Sequence, residues 1–122
     1  MMGWYERLIS RNVPNVTPED AWRRLQDDSD VLIVDVRQPI ETDSGSVPGA
    51  VLIPLTEFGR RLEELPRDRP ILTICRSSHR SPIAARQLKK AGYDVTNVSG
   101  GTDAWRKAGL PFVKPTGRAG AG

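Results

Sequence analysis

ILTICRSSHRSPIAARQLKKAG, residues 71–92, carries the clearest structural signal in this chain of 122 residues. Its start, 71–75, is an apolar run rich in β-branched residues, which is typical of a strand covered on both faces. From residue 81 the spacing is helical, with Ser81 as the N-cap, Pro82 at the first helical position and Gly92 as the C-terminal stop. The stretch therefore predicts a strand, a short loop and a helix.

The same alternation extends over the rest of the chain. Further strands are predicted at 31–36, 50–54 and 94–98. Further helices are predicted over 55–65 and after the N-cap Thr17, which Pro18 follows at the first helical position. Trp22 and Trp105 have helical spacing and are expected to pack in the core. Strands that alternate with helices predict an α/β fold, a parallel sheet with helices on both faces.

Length and composition set limits on the organisation and the partners. We expect one domain over 12–114, an N-terminal extension over 1–11 that forms a short packed helix through Trp4 and Leu8, and a flexible tail over 115–122.

No apolar run approaches the roughly 18 residues of a membrane span. The net charge of +3 is scattered along the sequence, so nucleic acid is not an expected partner. A lone cysteine and the lack of a secretory signal favour the cytoplasm.

The loop after the strand at 71–75 contains the only cysteine and the only histidine of the chain. Cys75 ends the strand, and a helix begins a few residues later, so orphan amides and the helix dipole meet close to its sulfur. Such a site stabilises a thiolate, which is the nucleophilic form of cysteine. Arg76 and Arg80 add positive charge and can hold an anionic substrate. Gly100 and Gly101 are expected to permit a tight turn beside this loop.

Other roles for the same residues remain open. A free cysteine is often a buried small hydrophobe. The loop also resembles a phosphate cradle, although only four residues separate Cys75 from Arg80, one fewer than in the C-x5-R loop of phosphate-transferring enzymes. His79 lies in the same turn as Cys75, where a protease base would come from another element, and is expected to face solvent. Ser77, Ser78 and Ser81 suit turn and capping roles, and their hydroxyls are also placed to donate to sulfur.

Three motifs resemble the single-domain rhodanese-like sulfurtransferases. They are CRSSHRS at 75–81, DVRQPIETDSGSVPGAVLIP at 35–54 and SGGTDAWRKAGLP at 99–111. The resemblance runs from about residue 13 to 113. It implies a five-stranded parallel sheet flanked by helices. It also implies that Cys75 accepts a sulfane sulfur as a persulfide and passes it to a nucleophilic acceptor.

The resemblance also implies the partners. The donor is expected to be a small sulfur anion such as thiosulfate, and the acceptor a thiol, cyanide or a protein thiol, with no metal or organic cofactor. We expect a monomer or a weak dimer. Asp35 and Arg37 lie at the carboxyl end of their predicted strand, on the edge where Cys75 also lies. We expect them to form a supporting ion pair, with Glu41 as a further candidate member, in preference to direct contact with substrate. The loop side chains expected to contact substrate are Arg76, Ser77, Ser78, His79, Arg80 and Ser81.

Two residues depart from the family pattern. Ser78 stands where the loop usually has glycine, and at positive φ this would cost roughly 1 kcal/mol. Ser46 stands where the family's G-H-I-P-G-A segment has histidine. Three functions are therefore compared: a sulfurtransferase, a non-enzymatic sulfur carrier or sulfide sensor, and a related cysteine phosphatase or arsenate reductase.

Overall fold

The computed structural model describes residues 13–114. The predictions for the extension at 1–11 and the tail at 115–122 lie outside the described residues. The strands are β1 (Asn15–Val16), β2 (Leu32–Asp35), β3 (Val51–Leu52), β4 (Ile71–Ile74) and β5 (Val95–Val98). The helices are α1 (Pro18–Asp27), α2 (Pro39–Thr42), α3 (Leu55–Arg61), α4 (Ser81–Lys90) and α5 (Gly101–Lys107), and a 3-10 turn (Leu62–Glu64) follows α3.

The five strands form one parallel sheet in the order β1-β5-β4-β2-β3. This confirms the predicted α/β fold and the five-stranded sheet that the resemblance implies. Strand β4, which precedes Cys75, lies at the centre of the sheet. Strand β1 and helix α2 were not predicted, because elements of two and four residues are too short to show a periodic pattern. Within 13–114 no helix has the length and apolar character needed to cross a membrane.

Each face of the sheet carries its own apolar core. Consecutive strand residues point to opposite faces, so Ile33 packs in the core that contains Trp105, whereas Val34 packs in the core that contains Phe58 and Leu88. Trp105 is fully buried, as predicted. Trp22 is half-buried and meets it edge to face, with ring centroids 6.0 Å apart.

The helix ends test the capping predictions. Thr17 is the N-cap of α1, and its hydroxyl accepts a hydrogen bond from the Asp20 amide at 3.1 Å, as predicted. The assignment of Ser81 as an N-cap was wrong, because Arg80 is the cap of α4 and its carbonyl accepts from the amide of Ile83. Ser81 is the first helical residue and is fully buried, so its hydroxyl is not at the capping position. Gly92 follows the end of α4 at φ 95°, as the stop signal predicted.

Candidate active site

Cys75 lies directly after β4, and the chain from it to Arg80 forms what we call the cysteine loop. The residue is 1% exposed and packs against the core that contains Phe58. The amide of Ser78 donates a hydrogen bond to Cys75 Sγ at 3.1 Å. The loop therefore turns back on itself and brings this amide to the sulfur.

The environment of the sulfur favours the thiolate. Burial raises the pKa of Cys75, but the hydroxyl and amide of Ser81 and the amides of Arg80 and Ser78 outweigh it and lower the pKa below its ordinary value. By distance and angle, the buried Ser81 hydroxyl makes no hydrogen bond to any group of residues 13–114, the Cys75 sulfur included, so it acts on the thiolate as a nearby dipole. The positive character of the loop thus comes mainly from amides and one hydroxyl at the start of α4.

Ser78 adopts the strained conformation that its place in the loop suggested. It is the one non-glycine residue of 13–114 with positive φ, at 75°. This conformation costs an L-residue about 1–2 kcal/mol. The Ser78 hydroxyl accepts a hydrogen bond from Asn97 Nδ2 at 3.1 Å. Sequence reasoning missed Asn97, although an amide side chain within a predicted strand was a signal for a buried hydrogen-bonding role.

Arg80 is held in a bidentate ion pair. Its Nη1 and Nη2 lie 2.6 and 2.8 Å from Oε1 and Oε2 of Glu41. The hydrogen bonds from the Arg80 guanidinium are the main cause that lowers the pKa of Glu41 to about 2. The proposed membership of the Glu41 carboxylate in the pair of Asp35 and Arg37 was therefore wrong. Only the backbone carbonyl of Glu41 accepts a hydrogen bond from Arg37, because the carboxylate faces the cysteine loop.

The pair of Asp35 and Arg37 is present and buried, with Arg37 Nη2 2.7 Å from Asp35 Oδ2. Arg37 also donates to the carbonyl of Gly45 at 2.7 Å, which ties the segment after α2 to the end of β2. Ser46, which replaces the family's histidine, donates its hydroxyl to Asp35 Oδ2 at 2.6 Å. The pair is thus a structural support, and Ser46 completes the hydrogen bonding of Asp35.

The remaining loop side chains form an exposed rim. Arg76 is 67% exposed, and its Nε lies 3.7 Å from Asp103 Oδ1. His79 faces solvent, as predicted, and its Nδ1 lies 2.9 Å from Ser77 Oγ. Among the hydrogen bonds of residues 13–114, none joins His79 to Cys75, so the geometry does not favour a cysteine–histidine protease pair.

Helix α5 fixes the start of the loop from the other side. The amide of Thr102 donates to the carbonyl of Cys75 at 2.7 Å, and that of Asp103 to the carbonyl of Arg76 at 3.0 Å. Gly101 has φ 63°, and a Cβ there would lie 2.4 Å from the backbone carbonyl atoms of Cys75 and Arg76. The predicted turn at Gly100 and Gly101 is confirmed, and the second glycine also permits this close approach.

A polar cleft of about 270 Å³ lies beside the cysteine loop, between α2 and α5. Three guanidinium groups and two carboxylates line it, from Arg37, Arg76, Arg106, Glu41 and Asp103. Because Asp35 neutralises Arg37, the positive charge available to a small anion is that of Arg76 and Arg106. In the part of the chain that the structure describes, no three His, Cys, Asp or Glu side chains are grouped so that they could hold a metal ion.

Known proteins share this architecture and much of this sequence. The family model of the rhodanese-like domain matches residues 17–108. A sulfurtransferase of Allochromatium vinosum is 41% identical over 86% of this chain and 99% of its own length. A putative sulfur carrier protein of Bacillus subtilis is 37% identical over 77% of this chain, which spans about half of that protein, 51% of its length.

The solved structures agree with the sequence matches. A thiosulfate sulfurtransferase from Pseudomonas aeruginosa superimposes with a TM-score of 0.79 at 27% identity. The match covers 90% of this chain and 22% of that one. Fold, loop and sequence lead to the same assignment, and this chain belongs to the rhodanese-like domain family.

Proposed function

We propose that the protein is a sulfurtransferase in which Cys75 carries the transferred sulfur as a persulfide. The observation that supports this most strongly is the surroundings of Cys75 Sγ, where the Ser78 amide lies 3.1 Å away and the amides of Arg80 and Ser81 also lower the thiol pKa. A sulfur at the start of a ten-residue helix, close to several backbone amides, is suited to hold negative charge before and after it accepts a second sulfur.

In the first half-reaction, the Cys75 thiolate attacks the outer sulfur of a donor such as thiosulfate. A bond forms between Sγ and that outer sulfur, the bond from the outer sulfur to the sulfonate sulfur breaks, and its electron pair leaves with sulfite. The negative charge of the thiolate leaves on sulfite, and the outer sulfur keeps the charge that it carried in thiosulfate, now as the terminal sulfur of the persulfide. The loop amides stabilise the charge at both stages, a contribution of about 3 kcal/mol per donor in comparable sites.

In the second half-reaction, an acceptor attacks the terminal sulfur of the persulfide. A thiolate, cyanide or a cysteine of a partner protein forms the new bond to this sulfur. The bond between the two persulfide sulfurs breaks, and its electron pair restores the Cys75 thiolate. No external oxidant or reductant is consumed, because the sulfane sulfur moves from one nucleophile to another.

The exposed arginines beside the cysteine loop bind the anionic donor. Arg76 and Arg106 line the cleft beside the loop, and their positive charge attracts the dianion and supports departing sulfite. Ser77 and His79 stand on the exposed rim, where their side chains can donate hydrogen bonds to the donor's oxygens. We therefore place the sulfonate end of the donor at the rim and its outer sulfur against Cys75.

The geometry favours sulfur over phosphate. A phosphate dianion in a cysteine loop needs a wide ring and a guanidinium that faces its oxygens. Here the loop is one residue shorter, and both terminal nitrogens of Arg80 already donate to Glu41. Phosphatase or arsenate reductase activity is therefore disfavoured.

A second candidate function is a sulfur carrier with poor turnover on small donors. The similarity to a putative sulfur carrier protein favours this candidate. A carrier forms the same persulfide, but it releases the sulfur to a partner protein faster than to cyanide. The two candidates therefore differ in their turnover on small molecules and in the acceptor that receives the sulfur.

Thiocyanate formed from thiosulfate and cyanide tests the proposed activity. The native protein should turn over many times per molecule, and Cys75→Ser should lose at least about 100-fold of the rate, because a hydroxyl is not ionised there at neutral pH. Less than one turnover with a stable persulfide would favour the carrier. Activity retained in Cys75→Ser, or hydrolysis of p-nitrophenyl phosphate that depends on Cys75, would overturn the proposal.

A further inference from the structure

A buried polar cluster lies beneath the cysteine loop, centred on Asn97 of β5. The Asn97 side chain belongs to a residue that is 1% exposed, and its Nδ2 donates to Asn15 Oδ1 at 2.9 Å and to Ser78 Oγ at 3.1 Å. Its Oδ1 accepts a hydrogen bond from Thr73 Oγ1 at 3.1 Å. Both amide hydrogens and the amide oxygen have partners, so the orientation of the side chain is fixed.

Ser78 needs such a contact because its backbone is in a conformation that L-residues disfavour. At φ 75° a glycine would be relaxed, whereas a serine is strained by its Cβ. The hydrogen bond from Asn97 reaches the hydroxyl of that same serine. The Asn97 side chain therefore holds the Ser78 side chain in place. The Ser78 backbone amide at the same time donates to Cys75 Sγ at 3.1 Å.

We propose that Asn97 is a positioning residue, which holds Ser78 in the left-handed conformation that aims the Ser78 amide at the Cys75 sulfur. Asn97 does not contact the reacting atoms. A glycine at position 78 would adopt this backbone conformation without strain. With serine there, the hydrogen bond from Asn97 stabilises the same conformation. The consequence for sulfur transfer rests on the proposed function of Cys75.

The support extends to the edge of the sheet. Asn15 lies on β1, opposite Asn97 in the register of the two strands. The backbone amide of Asn97 also donates a hydrogen bond to the carbonyl of Pro14 at 2.8 Å. The side-chain oxygen of Asn15 accepts the second hydrogen bond from Asn97 Nδ2. Strand β1 thus contributes to the shape of the cysteine loop, although it carries no residue of the loop.

A double-mutant cycle on Cys75 alkylation tests this role. The rate of reaction with iodoacetamide is measured against pH in the native protein, in Asn97→Ala, in Ser78→Gly and in the double variant. We expect Asn97→Ala to raise the apparent pKa of Cys75 and to slow alkylation at neutral pH by about 3- to 10-fold, because one amide donor is misaligned. In the Ser78→Gly background the same substitution should change the rate by less than about 2-fold.

Equal effects of Asn97→Ala in both backgrounds would overturn the proposal, since Asn97 would then only stabilise the sheet. The loss of a buried amide can also prevent folding, so Asn15→Ala is a second variant, which removes one hydrogen-bond partner from an exposed edge strand. It should shift the alkylation profile in the same direction by a smaller amount, and only when Ser78 is present. An unchanged profile in Asn15→Ala with Ser78 present would contradict the proposal.

This test separates the role of Asn97 from the function of Cys75. Alkylation measures the thiolate without any sulfur donor. A protein with the expected cycle that takes no sulfur from thiosulfate would refute sulfur transfer and leave the role of Asn97 intact. Persulfide formation without coupling between Ser78 and Asn97 would refute the role of Asn97 and leave sulfur transfer intact.

Discussion

Arg80 and Glu41 form a bidentate ion pair, with N–O distances of 2.6 and 2.8 Å, that joins the end of the cysteine loop to helix α2. The pair connects two of the three motifs that carry the family resemblance. Both side chains are partly buried, at 32% and 24% exposure, so water screens their attraction only in part. Arg80 therefore acts first as a support of the loop.

Removal of the carboxylate in Glu41→Gln should lower the free energy of unfolding at neutral pH by about 1–3 kcal/mol. The pKa of Glu41 is lowered from 4.5 to about 2 in the folded protein. Its contribution is therefore fully present above about pH 4.5 and is lost as the pH falls towards 2. Urea unfolding at several pH values should show the difference between native protein and Glu41→Gln shrink over that range.

Glu63→Gln is the matched control for Glu41→Gln. Glu63 pairs with Arg67, four residues further along the chain, and both side chains are more than half exposed. Such surface pairs contribute less than about 1 kcal/mol. Equal losses in Glu41→Gln and Glu63→Gln, or a difference that does not change with pH, would contradict the role given to the pair with Arg80.

Gly101→Ala should destabilise the protein by more than about 3 kcal/mol. A Cβ at this position would overlap the carbonyl groups of Cys75 and Arg76 and would also be strained by the positive φ. Gly109→Ala separates the two causes, because Gly109 has φ 72° and nothing within 4 Å of its added Cβ. That variant should lose only about 1 kcal/mol. Similar thermal unfolding midpoints for the two variants would argue against the close approach.

Ser81→Ala should raise the pKa of Cys75 and slow its alkylation at neutral pH. The Ser81 hydroxyl is a leading cause that lowers this pKa, and alanine at the start of a helix leaves the amide donor in place. The pH profile of iodoacetamide alkylation measures the shift, with the exposed Ser29→Ala as the control. A profile unchanged in Ser81→Ala would show that the hydroxyl does not act on the sulfur.

Arg76→Glu should raise the KM for thiosulfate several-fold with a smaller change in kcat, because it reverses a charge at the rim of the cleft. The effect should weaken as salt is added. Arg23→Glu on helix α1 is the control, since Arg23 is 66% exposed and Arg76 is 67% exposed. The placement of the donor would be wrong if both variants had the same KM, or if the effect of Arg76→Glu did not depend on salt.

The sequence predicted the parts of the fold that have a continuous local pattern. Strand β4, helix α4 and the stop at Gly92 follow from apolar runs and capping residues that are close neighbours in the chain. Strand β1 was not predicted, because Asn15–Val16 is defined by its pairing with β5 and not by its own composition. Ser81 was misassigned by one position because the cap depends on how the loop enters the helix.

The hydrogen bonds and ion pairs that hold the cysteine loop join residues far apart in the sequence. Local sequence patterns do not reveal such contacts. Cys75 was identified from its strand end and its helix start, and the strain at Ser78 from the glycine it replaces. The partner of Arg80 is 39 residues away, and that of Ser78 is 19 residues away. Both pairs follow from strand order and register, so they became visible only in the folded structure.

The intact mass of the protein after incubation with thiosulfate tests sulfur transfer through Cys75 most directly. One sulfur atom, about 32 Da, should be added to the native protein and removed again by cyanide or a thiol. Cys75→Ser should gain no mass under the same conditions. An unmodified native protein, or the same added mass in Cys75→Ser, would contradict the account.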